Sequence, residues 1–155
     1  MDNPFMARAI QLSLDNVLCG RGGPFGAVIV KNGNVIAEGV NRVTSASDPT
    51  AHAEVVAIRE ACAKLSAFTL ADCEIYTSCE PCPMCLGAIY WARIARIYFG
   101  NAAADASKIG FDDSFIYQEF AQPLPGRAIP IKQMMRKQAL AAFLAWQEKP
   151  NKIPY

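Results

Sequence analysis

The sequence predicts a three-layer α/β sandwich built around a mostly parallel, buried sheet. Hydrophobic residues make up 52% of the 155 residues and charged residues 19%. That balance suits a sheet covered on both faces better than one half in water. A hairpin signal, Asn32-Gly33, lies between two apolar runs, and beyond it helical and strand patterns alternate along the chain. The length allows one domain with a full core, and is short for two.

Each element has a local reason. Asp2 or Asn3 can cap a first helix with Pro4 in its first turn; Met6, Ile10, Leu14 and Val17 form a stripe, and Gly20 stops it. The run from Gly20 to Pro24 is a loop, and strands follow at about 26–31 and 34–40. Residues 41–50 read as a loop closing on Asp48-Pro49-Thr50, a helix start. The helix from about 51 to 65 is apolar on more than one side, so it is expected to be covered on both. Cys73 to Ser78 alternates as a strand, Cys82 to Arg93 reads as a second buried helix, and Ile94 to Gly100 as another strand. A loop, a helix at about 113–120, a short strand at 127–132 and an amphipathic helix at 133–148 complete a domain spanning 1–148. Residues 149–155 form a short polar tail ending in Tyr155.

Charge and apolar patterning exclude several functions. Fifteen basic and fourteen acidic residues leave a formal charge of +1, without the basic surplus that phosphate-dependent nucleic-acid binding uses. Lys132, Arg136 and Lys137 read as a solvated helix face. The longest helical apolar stretch, Ala139 to Trp146, is too short to span a bilayer, and no signal peptide is visible near Asp2. A small uncharged substrate, no nucleic acid and no membrane are therefore expected.

Six cysteines without a secretion signal point to the reducing cytoplasm. Cys19, Cys62 and Cys73 read as small core residues. Cys79, Cys82 and Cys85, spaced by three, need another explanation. His52, the single histidine, opens His52-Ala53-Glu54, and Pro81-Cys82-Pro83-Met84-Cys85 follows about thirty residues later. This pairing is the signature of zinc deaminases. Cys82 and Cys85 face the same way on a helical turn, and a helix N-terminus favours their thiolates. One imidazole and two thiolates neutralise Zn²⁺ and leave a tetrahedral position for water, whose pKa the metal lowers to about 7. Glu54 is then placed to shuttle protons. His52 and Glu54 can share a site only near a helix end, since mid-helix they would diverge. The rival arrangement is a closed structural Cys₃His site that includes Cys79, which would leave Glu54 without a task.

Four segments carry a family resemblance: Gly23 to Val30, Asp48 to Glu54, Thr77 to Trp91 and Gly110 to Phe115. Together they resemble the cytidine deaminase superfamily and, within it, the bacterial-type guanine deaminases. The second and third are shared with tRNA adenosine deaminases; the fourth, with the Ile-Pro-Tyr end, is the part similar to guanine deaminases. The resemblance implies a five-stranded mixed sheet between helices, a homodimer, zinc, and hydrolysis of a purine base, guanine, to xanthine and ammonia. It also implies that Asn41 hydrogen-bonds the base, Phe25 walls it and Asp113 contacts the purine, with Trp91 a further candidate substrate contact. Against these stand plainer roles: Asn41 as a loop cap, Asp113 as a helix N-cap, and Phe25 and Trp91 as core. Tyr155 is a candidate lid residue over its own site or a partner's.

Overall fold

A computed structural model describes residues 3–155. The chain divides into two compact units, Met1–Asp113 and Ser114–Tyr155. The boundary falls inside the span 1–148 expected for one domain.

In the first unit, helix α1 (Pro4–Leu18) precedes a hairpin of β1 (Gly26–Lys31) and β2 (Asn34–Val40). A one-turn helix α2 (Val43–Ala46) leads to α3 (Ala53–Leu65), β3 (Cys73–Cys79), α4 (Pro83–Trp91), β4 (Arg96–Asn101) and α5 (Ala103–Lys108). The turns α2 and α5 lie where loops were expected. Asn3 caps α1, its Oδ1 accepting from Phe5 N (2.9 Å) and Met6 N (3.0 Å); the other candidate cap, Asp2, lies outside the described residues. Asn32 and Gly33 make the hairpin turn with φ of 50° and 74°, the left-handed pair such a turn requires.

The sheet order is β2-β1-β3-β4. It has four strands among the described residues, one fewer than expected. β1 is antiparallel to β2 and to β3, and only β3 and β4 are parallel. The sheet is therefore mixed, as the family resemblance implied, and not mostly parallel as the alternation of elements suggested: the hairpin seats β1 centrally, so both of its neighbours run against it.

That topology builds the site. Since β1 opposes both β2 and β3, and β3 runs with β4, the carboxyl ends of β2, β3 and β4 gather at one edge with the start of β1. Gly26 pairs with Val40, and Cys79 with Asn101. Whatever follows β2, β3 and β4, and whatever precedes β1, meets there.

Two apolar layers cover the sheet. On one face Ala27, Ile29, Ala37 and Ile75 pack with Ala53, Ala57 and Ala61 of α3 and Ile89 of α4. On the other, Val28, Val30 and Tyr76 pack with Ala9 of α1, flanked by Phe5, Met6 and Leu12. The expected α1 stripe does not form the buried face, because Ile10, Leu14 and Val17 are exposed. The helix comes too close to the sheet for large side chains. A Cβ on Gly26 would collide with the Ala9 carbonyl oxygen and lie 2.9 Å from Leu12 Cβ. Small Ala9 and Asn16 occupy the contact instead. Cys19, expected in the core, is exposed at the end of α1, whereas Cys73 is buried. The expected burial of α4 holds for Cys85 and Ile89, while Tyr90 and Trp91 stand in solvent at its C-terminal end.

The second unit comprises α6 (Ser114–Ala121), a 3₁₀ turn (Leu124–Gly126) and α7 (Arg136–Glu148). No strand forms at 127–132. Ala128 N–H donates to the Glu119 carboxylate (2.7 Å), and Pro130 has no N–H, so one edge of the segment has lost two of its three ladder donors. Helix α7 begins at Arg136, later than expected, because Met135 is left-handed with φ 52°. Lys132 therefore lies off this helix.

Candidate metal centre

His52 and Cys82 are the N-cap residues of α3 and α4, both with extended backbones, ψ 156° and 167°. An N-cap side chain ordinarily closes onto the first turn, a bond whose loss costs about 0.5–2 kcal/mol. Neither side chain makes it. Both helices forgo their caps, and the freed side chains meet. His52 Nδ1 lies 3.5 Å from Cys82 Sγ and 3.5 Å from Cys85 Sγ, and all three donor atoms fall within 4.8 Å of one another.

These distances fit zinc. Bonds of about 2.3 Å to sulfur and about 2.0–2.1 Å to nitrogen, at a tetrahedral angle, separate N from S by about 3.6 Å. The donor set, one imidazole and two thiols, is also the zinc type. Cys79 is outside the group: it ends β3 and its Sγ faces the Ala102 carbonyl at 3.8 Å. Pro81 and Pro83 separate it from the helix, and burial pushes its thiol up to about 11. The arrangement brings three donors together, and Cys79 is not among them.

The sulfurs are electrostatically unequal. A hydrogen bond from Cys85 holds the Cys82 thiol down to about 4, helped against its burial by His52. The Cys85 thiol is pushed up, first by its bond to Cys82 and then by burial. The bond to Cys82 raises the His52 pKa against the effect of its burial.

Glu54 sits in the first turn of α3, 7% exposed, with Cys85 Sγ 3.4 Å from its Oε2. Because His52 is still extended, the two side chains converge despite their spacing of two. Burial pushes the Glu54 carboxyl above its usual range, the direction in which a proton-carrying carboxyl is tuned.

The residues proposed from sequence to contact a base are not all brought to this cluster. Asn41 follows β2, is 6% exposed, and accepts on Oδ1 from Val43 N (3.3 Å). That bond directs its N–H₂ end to donate. Phe25 precedes β1 and meets Phe111 edge-on, with centroids 5.0 Å apart. Phe111 was not singled out from the sequence, although it lies inside the Gly110–Phe115 motif. Asp113 has its carboxyl raised by burial and then by the negative charge of Cys82, which marks it as an electrostatic neighbour of the cluster. Trp91 is not brought in: it is 72% exposed at the far end of α4, about 13 Å along the helix from Cys82. Tyr155 ends the second unit, exposed.

Residues 1–101 match the family model for the cytidine and deoxycytidylate deaminase zinc-binding region. The guanine deaminase of Bacillus subtilis (strain 168) is 55% identical over 97% of each chain. A crystal structure of guanine deaminase from that species superposes with a TM-score of 0.96 at 54% identity, over 100% of this chain and 99% of the other. The tRNA-specific adenosine deaminase of Aquifex aeolicus is 47% identical, but over 49% of this chain and 50% of its own.

Proposed function

The chain belongs to the cytidine and deoxycytidylate deaminase family, and on that premise we propose that it hydrolyses guanine to xanthine and ammonia, using zinc held by His52, Cys82 and Cys85. The carrying observation is geometric: two uncapped helix ends bring three zinc-type donors beside a buried carboxylate. The near full-length match to a guanine deaminase supports the choice of base, whereas the tRNA-specific relative matches only half of the chain.

His52, Cys82 and Cys85 would hold the zinc, which would supply an acidified water. Glu54 collects a proton from the water attacking C2 of guanine and delivers it to ring nitrogen N3, making C2 tetrahedral. It then carries the remaining hydroxyl proton to the exocyclic amine. The C2–N bond breaks, ammonia leaves, and the carbonyl of xanthine forms. Asn41 donates its N–H₂ to an acceptor of the base, O6 or N7, and the Asp113 carboxylate accepts from N1–H. Phe25, braced by Phe111, walls the ring. Adenine lacks the N1–H and carries its amine on another carbon, so it would leave Asp113 unmatched.

A homodimer completes the reading. Its support is the set of large apolar side chains left in solvent on each unit, among them Trp91 at 72% and Ile129 at 77% exposure. A cytoplasmic setting is supported by six free cysteines. Among the described residues no helix is long and apolar enough to cross a membrane.

Ammonia release from guanine, guanosine, adenine, cytidine and a tRNA anticodon stem tests the proposal. Guanine is expected to be turned over and adenine, cytidine and the tRNA stem little or not at all. Faster release from adenosine in the tRNA would overturn the choice of substrate.

A further inference from the structure

Asn16 is fully buried in α1, the one polar side chain among that helix's buried residues. Its Nδ2 donates twice, to the carbonyl of Gly23 and to the carbonyl of Asn41, both at 2.9 Å. The amide cannot be turned over, because Oδ1 would then face two carbonyl oxygens. As it stands, Oδ1 is buried without a partner. An orphaned buried acceptor is destabilising, so this asparagine is a poor choice for stability alone.

Both of its bonds go to the loops that carry the base contacts. Gly23 belongs to the loop that ends in Phe25, and Asn41 opens the one that leads to His52. The same junction is tied elsewhere. Asn41 N donates to Phe25 O (3.1 Å), Arg21 N to Asn16 O (3.1 Å), and Arg42 N to Ala51 O (2.9 Å) beside His52. Gly22 packs against the Asn41 carbonyl so closely that an added Cβ would collide with its oxygen, and would lie 3.1 Å from Asn16 Nδ2.

We propose that Asn16 is a positioning residue for base recognition: its amide clamps the Phe25 loop to Asn41 and so sets guanine affinity through Asn41. The inference rests on the reading of Asn41 as a base contact. Asn41 is read as meeting the base at O6 or N7, away from the reacting C2, so its contact is made alike in ground and transition states, and weakening it raises KM with kcat unchanged. The clamp therefore governs KM, while His52, Cys82, Cys85 and Glu54 remain as they are.

The test is a double-mutant cycle on the zinc-loaded enzyme, with kcat, KM for guanine, zinc content and melting temperature measured for Asn16→Ala, Asn41→Ala and the double variant. Asn16→Ala should raise KM about ten- to a hundredfold, keep kcat within about twofold and retain its zinc. In the Asn41→Ala background the same change should add no more than about twofold. A variant that melts earlier but keeps its KM, or effects that simply multiply, would overturn the clamp. If Asn16→Ala does not fold, Gly22→Ala decides, since it crowds the junction from the other side: a raised KM with zinc retained supports the clamp, and an unchanged KM overturns it. Failure of the underlying reading looks different. An Asn41→Ala variant with unchanged KM removes both the base contact and the clamp, whereas a raised KM there and an unchanged one in Asn16→Ala removes the clamp alone.

Discussion

The metal cradle and the base-recognition rim share one end of the sheet but are built differently. The cradle comes from two helix starts: His52 and Cys82 leave their N-caps unmade, Cys85 sits one turn further on, and Glu54 is in the first turn of α3. Short-range backbone geometry aims all four. The rim comes from loops. Asn41, Phe25 and Phe111 lie in loops, Asp113 directly precedes α6, and they are tied by long-range contacts such as Asn16 to Asn41 (2.9 Å) and Phe25 to Phe111. On the proposed function, the helix ends hold the groups that carry protons and the loops hold the groups that meet the base.

On that division, variants on the two sides fail in different kinetic constants. The largest effect belongs to the cradle. Glu54→Gln should keep zinc yet lower kcat by about a hundred- to ten-thousandfold, the scale of a general acid–base group; a variant with near-normal turnover would contradict the shuttle. On the rim, Asp113→Ala should cost about ten- to a hundredfold in kcat/KM for guanine, as the loss of a charged hydrogen bond implies. Its zinc content should be unchanged, and loss of metal would erase the boundary between the regions. The smallest effect is expected beside the cradle: Cys79→Ser should keep stoichiometric zinc and most of the activity, because Cys79 faces Ala102.

The same division decides what could be read from the sequence. His52, Glu54, Cys82 and Cys85 were legible because prolines and short spacings announce helix starts, and chemistry at a helix start is local. The hairpin at Asn32-Gly33 was legible for the same reason. The face that α1 buries was not, since the apolar stripe of Ile10, Leu14 and Val17 is overruled by how closely the helix approaches Gly26. Nor was the missing strand at 127–132, where a glutamate carboxylate captures Ala128 N–H. Phe111 and Asn16 act through partners 86 and 25 positions away, Phe25 and Asn41, a separation that periodicity does not encode. The antiparallel neighbours of β1 follow from where the hairpin docks, which only the assembled sheet reveals.

An open three-donor zinc site is what the cradle, the shuttle and the choice of a hydrolytic reaction all depend on, and zinc K-edge X-ray absorption on the loaded protein reads it directly. The expected shell holds two sulfurs at about 2.3 Å and two light atoms at about 2.0–2.1 Å, one from His52 and one from water. The same shell should persist in Cys79→Ser. A shell of three sulfurs and one nitrogen, collapsing when Cys79 is replaced, would make the site a closed structural one and contradict the account.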